Sequence, residues 1–369
     1  MQRFIKYGFL ATLVAGCLVS SPVCAQSVPD ALDRPAQQTP RAAHSVLLDI
    51  ALAGGRLVAV GERGIVVFSD DGGKSWRQGK VPTSESLTTV LFPTAKSGWA
   101  AGHAGIVIHT EDGGETWTRQ LDGKMAAQLA LEGAQAHARQ NPGNEAAQHL
   151  LRDAQRLVDD GPDKPFLALC FENERSGFVA GAYGMMFGTE DGGKTWKSWM
   201  DRLDNPKGLH INAVKVAGRN VYLAGEQGLF LRSEDGGNKF TRIETPYKGS
   251  YFTLAVTSAE HLVIAGMRGN AYYSANGGKT FTKAEVPIPA TIAASTATPD
   301  GTLVFVNQAG QVLASHDQGK TMQVVPMAPL PPPAAILALN NDLVLSAGWA
   351  GVVPFSIGSA GTQDSGGRP

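Results

Sequence analysis

The feature that most constrains this chain is an eight-residue segment that recurs along it. Each copy begins with Ser or Thr, has Asp or Asn third and Gly fifth, and ends in Trp, Phe or Met. The third positions are Asp71, Asp112, Asp191, Asp235, Asn276 and Asp317, which are 41, 79, 44, 41 and 41 residues apart. A period of about 41 residues is typical of propellers and other repeat architectures.

A second motif, Gly-x-x-Gly, lies just upstream of each segment. Its closing residue is glycine in all seven copies and stands five residues before the segment, or before Ser356 in the seventh copy, whereas its opening residue is glycine in six copies and Asn307 in the other. Since glycine and asparagine both tolerate positive φ, we expect a tight hairpin turn with the opening residue in that conformation. The seventh copy keeps the turn and loses the segment, because Gly358 stands where the Asp would be.

Each repeat contains enough short apolar runs for four strands. Leu57–Val60 and Ile65–Phe68 are continuous apolar runs rather than alternations, which indicates strands covered on both faces. Four strands in each of seven repeats predict an all-β fold. We therefore expect residues 45–357 to form one seven-bladed β-propeller of four-stranded blades.

The Asp or Asn of the recurring segment has a structural explanation. A carboxylate at the third position accepts hydrogen bonds from the amides of the turn that follows it. We expect the terminal aromatic residues Trp76, Trp117 and Trp196 to pack between blades. All six Asp or Asn positions are therefore interpreted as structural and not as catalytic.

The segment resembles the Asp-box, or BNR repeat, of sialidase-type propellers. With a Gly-x-x-Gly turn in every blade, the chain resembles the photosystem II stability and assembly factor family and its bacterial relatives. This resemblance covers residues 45–357 apart from an insertion, and it implies a non-enzymatic propeller that binds membrane-protein subunits during assembly. Of the basic patch that the resemblance implies, only Arg63 and Arg268 stand in equivalent turns.

The long step between the second and third segments marks an insertion at 121–165. Ala147, Leu150, Ala154 and Leu157 recur at helical spacing, with Asn144 as the N-cap and Gly161-Pro162 as the stop. Together with an earlier apolar stretch from Met125, this predicts an α-helical hairpin. Its two helices either pack only on each other or form an arm that binds a partner.

The N-terminus predicts export. Residues 1–25 have the charged start, apolar stretch and small-residue end of a signal peptide, with cleavage after Ala25. The alternative is a lipoprotein box that ends at Cys17 and anchors the chain by a lipid. We expect a periplasmic protein with an N-terminal extension at 26–44. Either that extension or the tail completes blade seven, and residues 358–369 are expected to be disordered.

Strand order alone predicts which surface binds. The helical hairpin follows an outer strand, so it shares a face with the seven Gly-x-x-Gly turns. The candidate partner-binding residues on those turns are Arg63, His103, Tyr183, Glu226, Arg268 and Trp349. The partner expected from the resemblance is a membrane protein or a subunit of an envelope complex, and an inner-membrane exporter is one such partner.

Other function classes find less support in the sequence. A net charge of −1 gives no basic footprint for nucleic acid, and the histidines lack metal-site spacing. We expect no cofactor, no metal and no catalytic residue. The alternative function is a sialidase-like or other glycoside hydrolase, in which Glu62 and Glu226 act as an acid–base pair.

Overall fold

The computed structural model describes residues 30–358, which form seven antiparallel sheets arranged as the blades of a propeller. Blade one contains β1 (Leu47–Ala53), β2 (Arg56–Gly61), β3 (Val66–Ser69) and β4 (Arg77–Gln78). Blade two contains β5 (Leu87–Leu91), β6 (Gly98–Gly102), β7 (Val107–Thr110) and β8 (Thr118–Leu121). Blade three contains β9 (Phe166–Phe171), β10 (Gly177–Gly181), β11 (Met186–Thr189) and β12 (Lys197–Ser198).

The remaining four blades follow the same order along the chain. Blade four contains β13 (Ile211–Ala217), β14 (Asn220–Gly225), β15 (Phe230–Ser233) and β16 (Thr241–Arg242). Blade five contains β17 (Tyr251–Val256), β18 (Leu262–Gly266), β19 (Ala271–Ser274) and β20 (Thr282–Lys283). Blade six contains β21 (Ile292–Ala297), β22 (Leu303–Asn307), β23 (Val312–Ser315) and β24 (Gln323–Val324). Blade seven contains β25 (Pro333–Ala338), β26 (Leu343–Gly348) and β27 (Gly351–Ser356). The seven-bladed propeller predicted from the repeat is confirmed.

The core lies between neighbouring blades. The second and third strands of a blade are buried on both faces, as β2 and β3 are, which is why they read as continuous apolar runs. Trp117 is buried against the apolar side chains of blade one, and Trp76 packs between blades one and seven. The predicted packing role of these tryptophans is confirmed.

Blade seven differs from the other six because it has three strands within the described residues. The carboxylate missing from its recurring segment is supplied by Asp342, which accepts hydrogen bonds from Ser356 Oγ and from the Gly358 amide. These bonds lower the pKa of Asp342. A residue before β26 therefore takes the structural role that the Asp-box Asp has elsewhere.

The N-terminal segment, residues 30–46, does not complete blade seven. It forms two short 3-10 turns, Ala31–Asp33 and Ala42–His44, and no strand. Ala36 N–H donates to the carbonyl of Val81 at 3.0 Å, so the segment lies along blade one instead. The prediction that 26–44 adds a strand to blade seven is therefore wrong for residues 30–44, and residues 26–29 lie outside the described part. The tail was predicted to be disordered over residues 358–369, and all of these residues after Gly358 also lie outside the described part.

The ring closes through its inner strands. β1 packs against β25 and β5, and each inner strand contacts the next one around the axis. Every inner strand also carries a register shift after its first residue, as between Leu47 and Asp49 in β1. A bulge of this kind increases the local twist at a fixed place in every blade.

The insertion forms α1 (Gly123–Gln140) and α2 (Glu145–Asp160). Asn144 caps α2 by accepting the amides of Ala146 and Ala147, as predicted. Within residues 30–358, no helix is both long enough and apolar enough to cross a membrane.

Candidate functional site

The turn face is the side of the propeller that carries the seven Gly-x-x-Gly turns. In the blade-one turn, Gly61 N–H donates to the carbonyl of Ile65 and Ile65 N–H donates to the carbonyl of Glu62. Gly61 has φ −166°, which is extended and not the positive value that we expected. Glycine is needed there because an added Cβ would lie 2.1 Å from the carbonyl oxygen of Val46. The prediction of positive φ at the opening residue is wrong, and close backbone approach is the physical reason for the glycine.

Positive φ falls instead on the last two residues of these turns. The closing residue is glycine, with φ +71° at Gly64. The residue before it adopts φ between +51° and +57° in five turns although it is not glycine; these residues are Arg63, Ala104, Tyr183, Gln227 and Arg268. A left-handed conformation at a residue with a Cβ costs about 1 kcal/mol or more. Five turns therefore hold a residue with a side chain in a conformation that favours glycine.

Five of the six predicted partner-binding residues are exposed on this face. Trp349 has 70% of its surface exposed and Tyr183 has 50%. Arg63, His103 and Arg268 are exposed as well. Tryptophan, tyrosine and arginine are enriched among the residues that carry the binding energy of protein interfaces.

Glu226 is the exception, because it is half-buried and already has a partner. His210 N–H donates to its Oε1 at 3.1 Å, and His210 Nδ1 lies 3.7 Å from its Oε2. Tyr183 meets the same imidazole edge to face, with ring centroids 4.9 Å apart. The structure therefore brings Tyr183 and Glu226 together through a histidine that the sequence did not single out. Nothing in a sequence pattern marks this contact, because it joins the turns of different blades.

The helical hairpin begins at the turn face. The Cα of Gly123, the first residue of α1, would lie 2.6 Å from a Cβ on Gly105, the closing glycine of the blade-two turn. The order of the strands predicted that the insertion lies on this face, and the contact between Gly123 and Gly105 confirms it.

The two helices do not pack only on each other, which excludes the first of the two alternatives for the insertion. Ala126, Ala130 and Ala134 of α1 share one buried cluster with Phe187 and Met200 of blade three. Gly133 allows the approach, because a Cβ there would lie 3.1 Å from the Cβ of Ser198 on β12. The small side chains on α1 let the helix lie directly on the outer edge of blade three.

The opposite side, the Asp-box face, is occupied by structural carboxylates. Asp71 Oδ1 accepts the Ser75 amide at 2.9 Å, and its Oδ2 accepts Ser75 Oγ at 2.5 Å. The corresponding bonds from Thr195 lower the pKa of Asp191 to about 2. The pKa of Asp71, Asp112, Asp235 and Asp317 is lowered too. Each of these carboxylates accepts hydrogen bonds from its own turn, which agrees with a structural role.

The central channel has a volume of about 570 Å³ and is lined by the inner strands. The carboxylate of Asp49 lines this channel and accepts hydrogen bonds from the amides of Ile50 and Val90, and desolvation in the channel raises the pKa of this group. Cys170 also lines the channel, and burial raises the pKa of its thiol to about 11. Across residues 30–358, His, Cys, Asp and Glu side chains nowhere gather in a set that fits a metal ion.

Comparisons with known proteins agree with this architecture. The sequence profile described as photosynthesis system II assembly factor YCF48 matches residues 29–142 and 152–334. The photosystem II assembly lipoprotein Ycf48 of Synechococcus sp. (strain CC9902) is 30% identical over 77 residues, which cover 21% of this chain and 23% of that protein. The match thus spans about a quarter of that relative.

Solved structures share the fold at low identity. A structure described as YCF48 bound to D1 peptide has a TM-score of 0.61 and 18% identity, over 85% of this chain and 93% of that one. YCF48 from Cyanidioschyzon merolae has a TM-score of 0.61 and 16% identity, over 85% and 96%. A xyloglucanase from Xanthomonas campestris has a TM-score of 0.60 and 12% identity, over 86% and 52%. Since the profile matches most of the chain, the chain belongs to the photosynthesis system II assembly factor YCF48 family.

Proposed function

We propose that this chain is a non-enzymatic propeller that binds a segment of a membrane protein and helps to assemble or stabilise the complex containing it. The observation that carries the proposal is the turn face, where Trp349 is 70% exposed and stacks on no other ring of the described residues. Tryptophan, tyrosine and arginine side chains dominate the binding energy of many interfaces. The turn face offers all three.

The kind of partner rests on the family. The family description is an assembly factor, and a similar structure is described as bound to a D1 peptide. The partner in this proposal is a membrane protein or a subunit of an envelope complex, and an inner-membrane exporter is a narrower choice within that class. No part of the proposal requires photosynthesis.

The alternative is a glycoside hydrolase. The xyloglucanase has the same fold as this chain, but a shared fold alone does not imply a shared activity. Glu226 already accepts the His210 amide, and Glu62 lies on blade one, three blades away along the chain. A carboxyl pair for hydrolysis has to flank one glycosidic bond at about 5–10 Å. The binding role is therefore favoured.

The partner is to be found by affinity capture. The tagged mature protein would be cross-linked to solubilised membranes and the captured proteins identified by mass spectrometry. Affinity for the captured partner is then measured for Trp349→Ala and for Val324→Ala, which trims an exposed apolar side chain on blade six. We expect at least tenfold weaker binding, about 1.4 kcal/mol, for the first variant only. Equal binding by both variants would move the interface away from Trp349.

A glycan panel tests the alternative. Turnover of any glycan that is lost in both Glu62→Gln and Glu226→Gln would replace the binding proposal with a hydrolase. If no glycan is turned over and a membrane protein is captured, the binding proposal is supported.

Placement outside the cytoplasm is part of the proposal. It rests on the sequence of residues 1–25, and the relative named a lipoprotein supports the alternative anchored through Cys17. Intact-mass analysis of the mature protein separates a chain starting at Gln26 from one that starts at a lipid-modified Cys17.

A further inference from the structure

A groove of about 890 Å³ opens beside the blade-one turn. One wall is the N-terminal segment, which contributes Arg34, Arg41 and His44, and the other wall is the turn with Glu62 and Arg63. The segment lies upstream of the first blade, so the groove is not a feature of the repeat. A site of this volume holds several residues of an extended peptide.

The N-terminal wall is held in place along its length. Thr39 N–H donates to Gln78 Oε1 at 2.9 Å, and the side chain of Gln38 donates to the carbonyl of Gly79 at 3.0 Å. Leu32 and Ala42 are buried among the side chains of the blades. The groove is therefore formed before any ligand binds, which reduces the entropy lost on binding.

The groove is positively charged and its charge is not neutralised. Arg34, Arg41 and Arg63 are exposed, and the only carboxylate in the lining is Glu62. Arg34 Nε donates to Ser84 Oγ at 3.0 Å, which orients its guanidinium. Among residues 30–358, no carboxylate lies within ion-pair distance of these three guanidiniums. Guanidinium groups bind carboxylates through two parallel hydrogen bonds.

An apolar anchor lies next to the groove. Gly351 closes the blade-seven turn, and a Cβ on it would lie 2.1 Å from the carbonyl oxygen of Ala43 and 3.5 Å from the Cα of His44. Trp349 belongs to the same turn. The turn that carries the exposed indole therefore adjoins the segment that forms one wall of the groove, where blades seven and one meet.

We propose that this groove binds an acidic, extended polypeptide segment of the partner, with the arginines on its carboxylates and Trp349 on an adjacent apolar side chain. This inference rests on the proposed function and adds the chemistry of the segment that is recognised. A concave groove with two walls fits a chain segment better than it fits a flat bilayer surface.

The test uses a fluorescein-labelled decapeptide of alternating Glu and Ser, with Gln-Ser and Lys-Ser peptides of equal length. Fluorescence anisotropy is expected to show saturable binding of the Glu peptide alone. Binding should weaken as salt rises from about 0.05 M to about 0.5 M, because added salt screens exposed charges. The doubly substituted Arg41→Glu, Arg63→Glu protein should bind the Glu peptide at least tenfold more weakly.

The matched control is Arg219→Glu, which makes the same change at an exposed arginine on the β13–β14 turn of the Asp-box face. It should bind within twofold of the parent, and circular dichroism should show all proteins folded. Equal binding of the Glu and Gln peptides, or unchanged affinity of the double variant, would overturn the inference. So would binding of phosphatidylglycerol vesicles without binding of the Glu peptide.

The captured membrane protein separates this inference from the proposed function. If that partner binds the double variant as tightly as the parent while Trp349→Ala weakens binding, the groove inference fails and the function stands. If no membrane protein is captured and the Glu peptide still binds through the arginines, the groove stands without the assembly role.

Discussion

At the scale of single residues, the Asp-box carboxylate is a hydrogen-bond acceptor for its own turn. Asp112 Oδ1 accepts the amides of Glu115 and Thr116 at 2.9 Å, and its Oδ2 accepts Thr116 Oγ1. In blade five Asn276 does the same work without charge, because its Oδ1 accepts the Thr280 amide while its Nδ2 donates to Thr280 Oγ1. The turn therefore needs an acceptor oxygen and not a negative charge.

The comparison of Asp112 with Asn276 predicts that two substitutions of Asp112 lower the free energy of unfolding by different amounts. Asp112→Ala leaves turn amides without acceptors and should lower the free energy of unfolding by about 1–3 kcal/mol. Asp112→Asn keeps the acceptor and should cost less than half of that. Urea denaturation measures both. Equal losses for the two variants would contradict the acceptor role.

The same carboxylates predict how stability depends on pH. Their pKa is lower in the folded state, with Asp191 at about 2, because turn amides and hydroxyls bind the charged form. Each such group stabilises the fold fully above its unfolded pKa of about 4, and that contribution is lost as pH falls through the folded value. The melting temperature should therefore fall steadily below about pH 4. Asp112→Asn should show a shallower fall, and an identical acid profile would count against this explanation.

Arg268 shows how strain and presentation can be separated. Its φ of +57° is unfavourable for a residue with a Cβ and acceptable for glycine. Arg268→Gly should therefore keep or raise the melting temperature while it removes a candidate binding side chain. Arg268→Ala keeps the strain and is the control. A clear loss of stability in the glycine variant would show that the side chain itself holds the turn.

At the scale of elements, the helical hairpin is part of the folded core of blade three. Replacing 124–160 by a short Gly-Ser linker would expose Phe187 and Met200, which now lie under the hairpin cluster. We expect the melting temperature to fall by several degrees, as each kcal/mol lost shifts it by about 2–4 °C in a domain this large. Val158→Ala trims an exposed side chain of α2 and should change little. An unchanged melting curve after trimming would restore the view of the hairpin as a loose decoration.

The elements also show what a sequence can and cannot reveal. The Gly-x-x-Gly turns and the Asp-box segments predicted the seven blades correctly, because glycine spacing and apolar runs are local signals in the sequence. The docking of α1 was not predictable, since its contact face is made of alanines, which favour any helix whether or not it packs on a neighbour. The reason for Gly61 was misread because a sequence does not distinguish a glycine that needs positive φ from one that needs space. The contact of Glu226 with His210, and the wall made by Arg34 and Arg41, depend on where distant segments meet.

At the scale of the whole molecule, the N-terminal segment joins the first and last blades. Ala42 is buried with Leu47 of blade one and Leu345 of blade seven. Deleting residues 30–44 should lower the free energy of unfolding by about 3 kcal/mol or more, through exposed apolar surface and lost hydrogen bonds. Thermal denaturation of the truncated protein measures this. A truncated protein that melts like the parent would show that the inner strands alone close the ring.

The left-handed turn residues have a consequence for how this scaffold changes over time. The backbone of the turn is set by the flanking glycines. The second of the two residues between them has a different side chain in most blades, and in the five turns of this kind it is Arg63, Ala104, Tyr183, Gln227 or Arg268. Within one motif, the glycines fix the backbone of the turn, whereas the residue before the closing glycine differs from blade to blade. We therefore expect that this position can be substituted in one blade at a time with no need to rebuild the blades.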